Sequence, residues 1–400
     1  MTPPSRLDRV VTPLAPLTTL QLGGPARRLV TASSEDELVA LVRELDAARE
    51  PLLLLAGGSN VVIADDGFDG TAVHVRTRGI EREGDTLTVA AGEEWDGVVA
   101  HAVAEGLAGI EALSGIPGST GATPIQNVGA YGQDVSQTIV SVRVLDRRSG
   151  AIEELAAADC GFRYRTSAFK GSDERVVLAV RFALRSAAAG RGAGGSGAGG
   201  SGAGGSGAGG SGGAGGRSGV LGEPVAYGEL ARTLGIAVGE RAPLGDVRAA
   251  VLELRRGKGM VVDPADPDSV SAGSFFTNPI LTASEYAALE ARAEGAAKAA
   301  GGAGAAPAGD ADGAARPPAF PEPGGRVKTS AAWLIQHAGF ERGRTRGNVA
   351  ISSKHTLALV NRGGASTREL VAFAREIAAG VDERFGVRLV PEPVFVGHAW

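Results

Sequence analysis

Residues 187–219 carry 18 glycines on a repeating Gly-Ala-Gly-Gly-Ser unit that has no apolar face. A segment that cannot bury apolar surface cannot join a core. It reads as a flexible linker with a root-mean-square span of roughly 30 Å, so whatever it joins must find its geometry through other contacts. A second stretch, 291–325, is rich in Ala, Gly and Pro with few large apolar residues, and it too reads as lying outside the core, although its Glu/Ala/Lys start suits a helix. Fold and function are therefore sought in three blocks, 1–186, 220–290 and 326–400. At roughly 150 residues per domain, 400 residues predict two to three domains.

The chain is 43% hydrophobic and 21% charged, which excludes wholesale disorder. Forty Lys and Arg against 45 Asp and Glu leave a net charge of −5. No basic stripe stands ready for a row of phosphates, so a nucleic-acid partner is not expected. One cysteine, Cys160, and five scattered histidines offer neither a disulfide framework nor a zinc module, and no metal is expected. Cys160 reads as a small buried apolar residue. Without a signal-like start or an apolar run of ~18 residues, the expectation is a soluble cytoplasmic protein with no membrane or obligate protein partner.

Pro51 to Ala56, then Gly57-Gly58-Ser59-Asn60, then Val61 to Ile63 read as strand, tight turn, strand. Ser34 and Glu37 form a capping box ahead of a helical face of Leu38, Leu41, Val42 and Leu45. Val73 and Val75, and later Val140, Val142 and Val144, alternate with polar residues as strands do. A helix near Trp95 to Glu105 ends where Gly106 would cap it. Val247, Ala250, Val251 and Leu254 predict a helix before the loop from Gly257 to Pro267. Ser366 and Glu369 cap another that carries Leu370, Phe373, Ile377 and Val381. Val387 to Val390 is expected to close the chain as a strand. The fold class is α+β.

Two glycine-dense loops carry the first chemical signal, the GGSN turn and the segment from Gly115 to Gly132, GIPGSTGATPIQNVGAYG. Glycines let backbone amides reach a phosphate with no Cβ in the way, so a diphosphate cofactor suits them. A strand follows Asn60 where a dinucleotide fingerprint or P-loop requires a helix, which disfavours both. Arg165, in Phe162-Arg163-Tyr164-Arg165, offers a permanently charged fork for a carboxylate or developing enolate. Ser274, in SAGSFFTNP, suits proton donation better than nucleophilic attack. Glu392 stands between two stiffening prolines, and Tyr227 and Lys258 suit a phosphate.

In chain order the segments are Thr18 to Gly24, GGSN, IPGSTGATPIQNVGAYG, FRYRTSAFK, AYGEL, SAGSFFTNP, KTSAAWLIQHAGF, SSKHTLALVN and PEPVFVG. Together they resemble the bacterial UDP-N-acetylenolpyruvoylglucosamine reductases over nearly the whole chain. The tyrosine-bearing AYGEL resembles the substrate-covering loop of that family's first subtype. The resemblance implies two subdomains clasping FAD in the manner of the vanillyl-alcohol-oxidase type, at 1–78 and 79–262, the latter carrying the linker 187–219. It further implies a UDP-sugar domain at 263–386 carrying the insertion 291–325, and a segment 387–400 returning to the active site.

By the same resemblance, FAD is held non-covalently by Gly57, Gly58, Ser59 and Asn60 and flanked by Gly121, Ala122, Thr123, Ile125 and Gln126, with NADPH as hydride donor. Ser274 matches the proton donor, and Arg165 and Glu392 the stabilisers of the enol intermediate. Tyr164 supports that site, while Tyr227, Lys258 and Asn278 hold the diphosphate and uridine of the substrate. The competing readings are a flavin oxidase of the same fold and a nucleotide-sugar binding protein without turnover.

Overall fold

The computed structural model describes residues 12–186, 219–299 and 316–400; the linker expected at 187–219 lies outside them except for Gly219. Helix α1 (Glu35–Ala47) starts where the Ser34 hydroxyl accepts the Glu37 amide at 3.2 Å. Its Leu38, Val42 and Leu45 pack with Val73 and Val75. Below it lies a four-stranded sheet in the order Thr12–Pro13, Pro25–Ala32, Phe68–Val75, Leu52–Leu55, whose last three strands run parallel.

A five-stranded antiparallel sheet follows, ordered Ile152–Ala156, Ile139–Asp146, Arg175–Ala183, Thr86–Ala90, Ile80–Glu83. Helix α2 (Trp95–Ala104) lays Trp95 against Phe182, ring centroids 5.6 Å apart, and ends before Gly106 at φ +69°. The alternation expected of Val140, Val142 and Val144 is broken. A bulge between Ile139 and Ser141 turns Val140 outward to 42% exposure while Val142 and Val144 stay buried. Helices α3 (Gly228–Leu234) and α4 (Leu244–Gly257) share a smaller core in which Leu230, Val247 and Val251 meet Ala112.

The third unit is a four-stranded antiparallel sheet ordered Ser271–Ser274, Ala358–Asn361, Val349–Ile351, Thr345–Arg346. It packs with α5 (Ala283–Ala299), α6 (Ala331–His337) and α7 (Thr367–Phe385). Both arms of the Ser366/Glu369 capping box form, and Leu370, Phe373, Ile377 and Val381 are fully buried. The stretch 291–325 is not wholly outside the core as expected. α5 runs into it with Ala293 buried, and Phe320–Glu322 pairs with Arg326–Lys328. Residues 300–315 are outside the description.

The closing strand is Val394–Val396, not Val387 to Val390, and it runs parallel to Val61–Ile63 of the first unit. The earlier residues belong to no ladder. The Val390 carbonyl instead takes the Thr277 amide at 3.0 Å, and Pro391 bridges Phe276. Among the described residues, no helix is long and apolar enough to cross a membrane, and no group of three or more His, Cys, Asp or Glu is gathered to hold a metal ion.

Candidate active site

The two glycine loops meet edge to edge. A Cβ on Gly57 would lie 2.5 Å from the Gly118 Cα, and one on Gly58, at φ +56°, would lie 1.9 Å from the Leu17 carbonyl oxygen. Only glycine permits that approach. The backbone amides of Gly57, Gly58, Ser59 and Asn60 donate to no described residue, while Thr19 N–H donates to the Gly58 carbonyl at 3.0 Å. Beside them the Thr19 and Ser119 hydroxyls are buried without a hydrogen-bond partner. Free amides and orphaned hydroxyls gathered where the two loops meet fit the diphosphate of a dinucleotide such as FAD. Thr19 and Ser119 were not singled out from sequence; their position inside the loop motifs was the available signal.

In the second loop several amides are spent within the protein. Gly121 donates to the Ala91 carbonyl at 2.8 Å, Ala122 to Ser119, Thr123 to Thr120 and Ile125 to Ala122. This loop is a hydrogen-bonded wall rather than a donor array, with Ala122 exposed and Ile125 and Gln126 half-buried. The Asn60 side chain joins both loops to the C-terminal segment, its Nδ2 donating to Gln126 Oε1 at 2.5 Å and to the Glu392 carbonyl at 3.3 Å.

Arg163 and Thr166 exchange backbone hydrogen bonds of 2.9 and 3.2 Å, leaving Tyr164 and Arg165 as the tip of a two-residue hairpin. Arg165 sits at φ +53°, a left-handed conformation that costs a non-glycine residue about 1–2 kcal/mol. Strain of this kind persists where surroundings over-determine it. Asn127 Nδ2 donates to the Arg163 carbonyl at 3.1 Å and Ser167 Oγ to that of Ile125 at 2.7 Å. The Arg165 guanidinium donates to the carbonyls of Asn127 and Gly129 and pairs with Asp134 at 3.3 Å. Its Nε lies 3.9 Å from Glu392 Oε1. Burial pushes the Glu392 carboxyl above its ordinary range, against the pull of Arg165 and Lys170.

Tyr164 is flanked by cations, with the Lys328 Nζ 4.9 Å and the Arg165 Cζ 5.3 Å from its ring centroid. Burial raises its phenol pKa, opposed by the charges of Arg165 and Lys328 and by a hydrogen bond with the Asn278 side chain. Asn278 Oδ1 takes the amide of Ala331 at the start of α6, at 3.0 Å. Ser274 ends a strand bulged at Ala272-Gly273, where Gly273 has φ +73°. The next carbonyl, of Phe275, accepts the Glu392 amide at 2.9 Å. The C-terminal segment is thereby stitched beside Ser274, above an aromatic cluster of Phe275, Phe276, Phe395 and Trp400.

Tyr227 and Lys258 converge on a residue that the sequence did not single out, Tyr131. The Tyr227 ring meets that of Tyr131 edge-on at 5.6 Å, and Lys258 Nζ lies 5.9 Å from the Tyr131 centroid and 2.6 Å from Glu229 Oε2. Burial pushes the Tyr131 phenol up to about 12. Tyr131 lies two residues past Gly129, whose carbonyl holds Arg165, so one loop carries both groups of side chains. Lys328 and Lys170 were also missed, because a lysine near a motif carries no signal until the fold brings it to a ring or a carboxylate.

A family profile described as an FAD binding domain matches residues 26–156, and one described as the UDP-N-acetylenolpyruvoylglucosamine reductase C-terminal domain matches residues 264–396. The chain is 54% identical to the UDP-N-acetylenolpyruvoylglucosamine reductase of Streptomyces coelicolor, covering 97% of this chain and 90% of that one. It is 51% identical to that of Thermobifida fusca, with coverage of 96% and 97%. The solved UDP-N-acetylenolpyruvylglucosamine reductase of Thermus caldophilus shares the fold, with TM-score 0.59 and 21% identity over 96% of this chain and 98% of that one. With two relatives above half identity along almost the entire chain, this protein belongs to the UDP-N-acetylenolpyruvoylglucosamine reductase family.

Proposed function

We propose that the chain reduces the enolpyruvyl ether of UDP-N-acetylglucosamine to UDP-N-acetylmuramate, a peptidoglycan precursor, with NADPH as donor. The observation that carries this reading is the meeting of Arg165 and Glu392 beside Ser274, below loops suited to a diphosphate. FAD, when bound, supplies the two-electron relay between NADPH and the alkene. Gly57, Gly58, Ser59 and Asn60 would hold its diphosphate, with Thr19 and Ser119 adding hydroxyls; Gly121, Ala122, Thr123, Ile125 and Gln126 would form the wall against its ring. The GGSN turn has no histidine for a covalent link, which supports dissociable binding.

Reduction adds hydride to the terminal alkene carbon and a proton to the α carbon, and charge spreads from the α carbon into the carboxylate. Arg165 would meet that charge with a preoriented guanidinium, and Glu392 would hold a proton for it in a buried setting. The Ser274 hydroxyl would deliver the proton to the α carbon. Tyr164 would support that site, while Asn278, Tyr227 and Lys258 would hold the diphosphate and uridine, Lys258 exchanging its Glu229 partner for phosphate oxygens. Tyr227 is 46% exposed at the start of α3, which supports AYGEL as a substrate-covering loop of the first subtype. A division at 78/79 and 262/263, with 387–400 returning to the site, and a cytoplasmic location complete the reading.

The test is flavin absorbance in stopped flow, first with anaerobic NADPH and then with the enolpyruvyl sugar. Bleaching followed by rapid recovery on adding the sugar is expected. Bleaching that only air reverses would make the protein an oxidase, and a chain that stays colourless after incubation with FAD would be a binding module.

A further inference from the structure

Lys170 is used by none of the roles above, yet its half-buried ammonium donates to the carbonyl of Arg165 at 3.1 Å. That carbonyl belongs to the residue whose left-handed φ of +53° aims the guanidinium at Glu392. A turn position of this kind ordinarily takes Gly or Asn. Here an arginine occupies it, so the conformation must be imposed by neighbours. Asn127 and Ser167 fix the hairpin's flanks, and Lys170 alone among the described side chains ties the tip's own carbonyl. We propose that Lys170 is a positioning residue for this reaction, locking the hairpin tip so that the Arg165 guanidinium stays against Glu392.

A second consequence is electrostatic. The charged and titratable groups bearing on Glu392 are Arg165 and Lys170, with Tyr164 beside them and Lys328 beyond its ring. Burial lowers the Lys170 pKa while the Glu392 charge supports its cationic form, and the lysine in turn holds the Glu392 pKa down. Removing the lysine therefore raises the Glu392 pKa further.

The proposal rests on the reading of Arg165 and Glu392 as the pair that holds the substrate carboxylate. In the FAD-loaded protein, reoxidation of pre-reduced flavin by the enolpyruvyl sugar is followed against pH, per bound flavin, in Lys170→Met, Lys170→Arg and Glu392→Gln. Calorimetric affinity for UDP-N-acetylmuramate and for UDP is measured on the oxidised protein. Lys170→Met should slow reoxidation about 10- to 100-fold and weaken UDP-N-acetylmuramate but not UDP. It should also move to higher pH the limb that Glu392→Gln abolishes, and Lys170→Arg should restore that limb. In an Arg165→Ala background the lysine change should cost less than about threefold more.

An unmoved limb with an unchanged rate, equal losses in the Met and Arg variants, or full additivity with Arg165→Ala would overturn it. If Glu392→Gln abolishes no limb and Arg165→Ala leaves the rate intact, it is the reading of that pair that fails. Should Lys170→Met not fold, Lys170→Gln, which keeps a donor without charge, must still move the limb.

Discussion

The Nε of Arg165 lies 3.9 Å from Oε1 of Glu392, joining the tip of a hairpin in the second unit to the segment that follows α7. The contact is longer than a hydrogen bond and both partners are largely shielded from solvent. A substrate carboxylate brought here would meet a fixed cation and a carboxyl group whose proton is held more tightly than in water. Ser274 lies one residue from the carbonyl that anchors Glu392, so in the proposed reaction this pairing is where charge would develop and a proton would be delivered.

Ser274→Ala should leave flavin reduction by NADPH nearly intact and slow reoxidation by the enolpyruvyl sugar at least about a hundredfold. The two half-reactions separate in stopped flow, and equal losses in both would contradict the proton-donor role.

Glu392→Gln should slow turnover yet stabilise the fold at alkaline pH. The folded-state pKa lies above the unfolded value of about 4.3, so the folded state binds the proton more tightly. Below the unfolded pKa that preference is fully present as stability; it is lost as pH rises through the folded pKa. Thermal unfolding of the two proteins at pH 5 and pH 9 should show the variant gaining relative to wild type at the higher pH. A constant offset between the two curves would refute the assignment.

Gly58→Ala forces a Cβ to 1.9 Å from the Leu17 oxygen at φ +56°. The left-handed conformation alone costs about 1–2 kcal/mol, so FAD affinity should fall about tenfold or more. Gly97→Ala on α2, where a Cβ meets nothing within 4 Å, is the matched control and should stabilise by up to ~1 kcal/mol. Fluorimetric titration of apoprotein with FAD, with melting curves, reads both.

Tyr227→Ala removes the ring packed edge-on against Tyr131. The KM for the enolpyruvyl sugar should rise about tenfold, with kcat for the first half-reaction changed less than about threefold. A fall confined to flavin reduction would argue that the loop serves NADPH instead.

The glycine loops, the caps of α1 and α7 and the apolar face of α7 were legible in the sequence because each is a local rule. A cap needs two residues three apart, a helical face needs one period, and a tight turn needs glycines in succession; the full capping box forms only at α7, the Glu37 carboxylate of α1 taking the Ser33 amide at 2.8 Å instead. Val140 and the closing strand were misread for the opposite reason. A bulge and the choice of strand partner depend on what lies across the ladder, and the partner of Val394–Val396 is Val61–Ile63, at the other end of the chain.

The sequence by itself determined most of the helices and strands and the family, and it singled out Ser274, Arg165 and Glu392 as candidates, since these ride on contiguous motifs whose chemistry is set by residue type. Only the tertiary structure decided that Lys170 ties the Arg165 carbonyl, that Lys328 lies by Tyr164, that Tyr131 joins Tyr227 to Lys258, and that the buried Thr19 and Ser119 hydroxyls are left without a hydrogen bond. The reason is physical. A lysine, a tyrosine or a hydroxyl acquires a role from the field, burial and neighbours around it, and those exist only once distant segments have closed on one another.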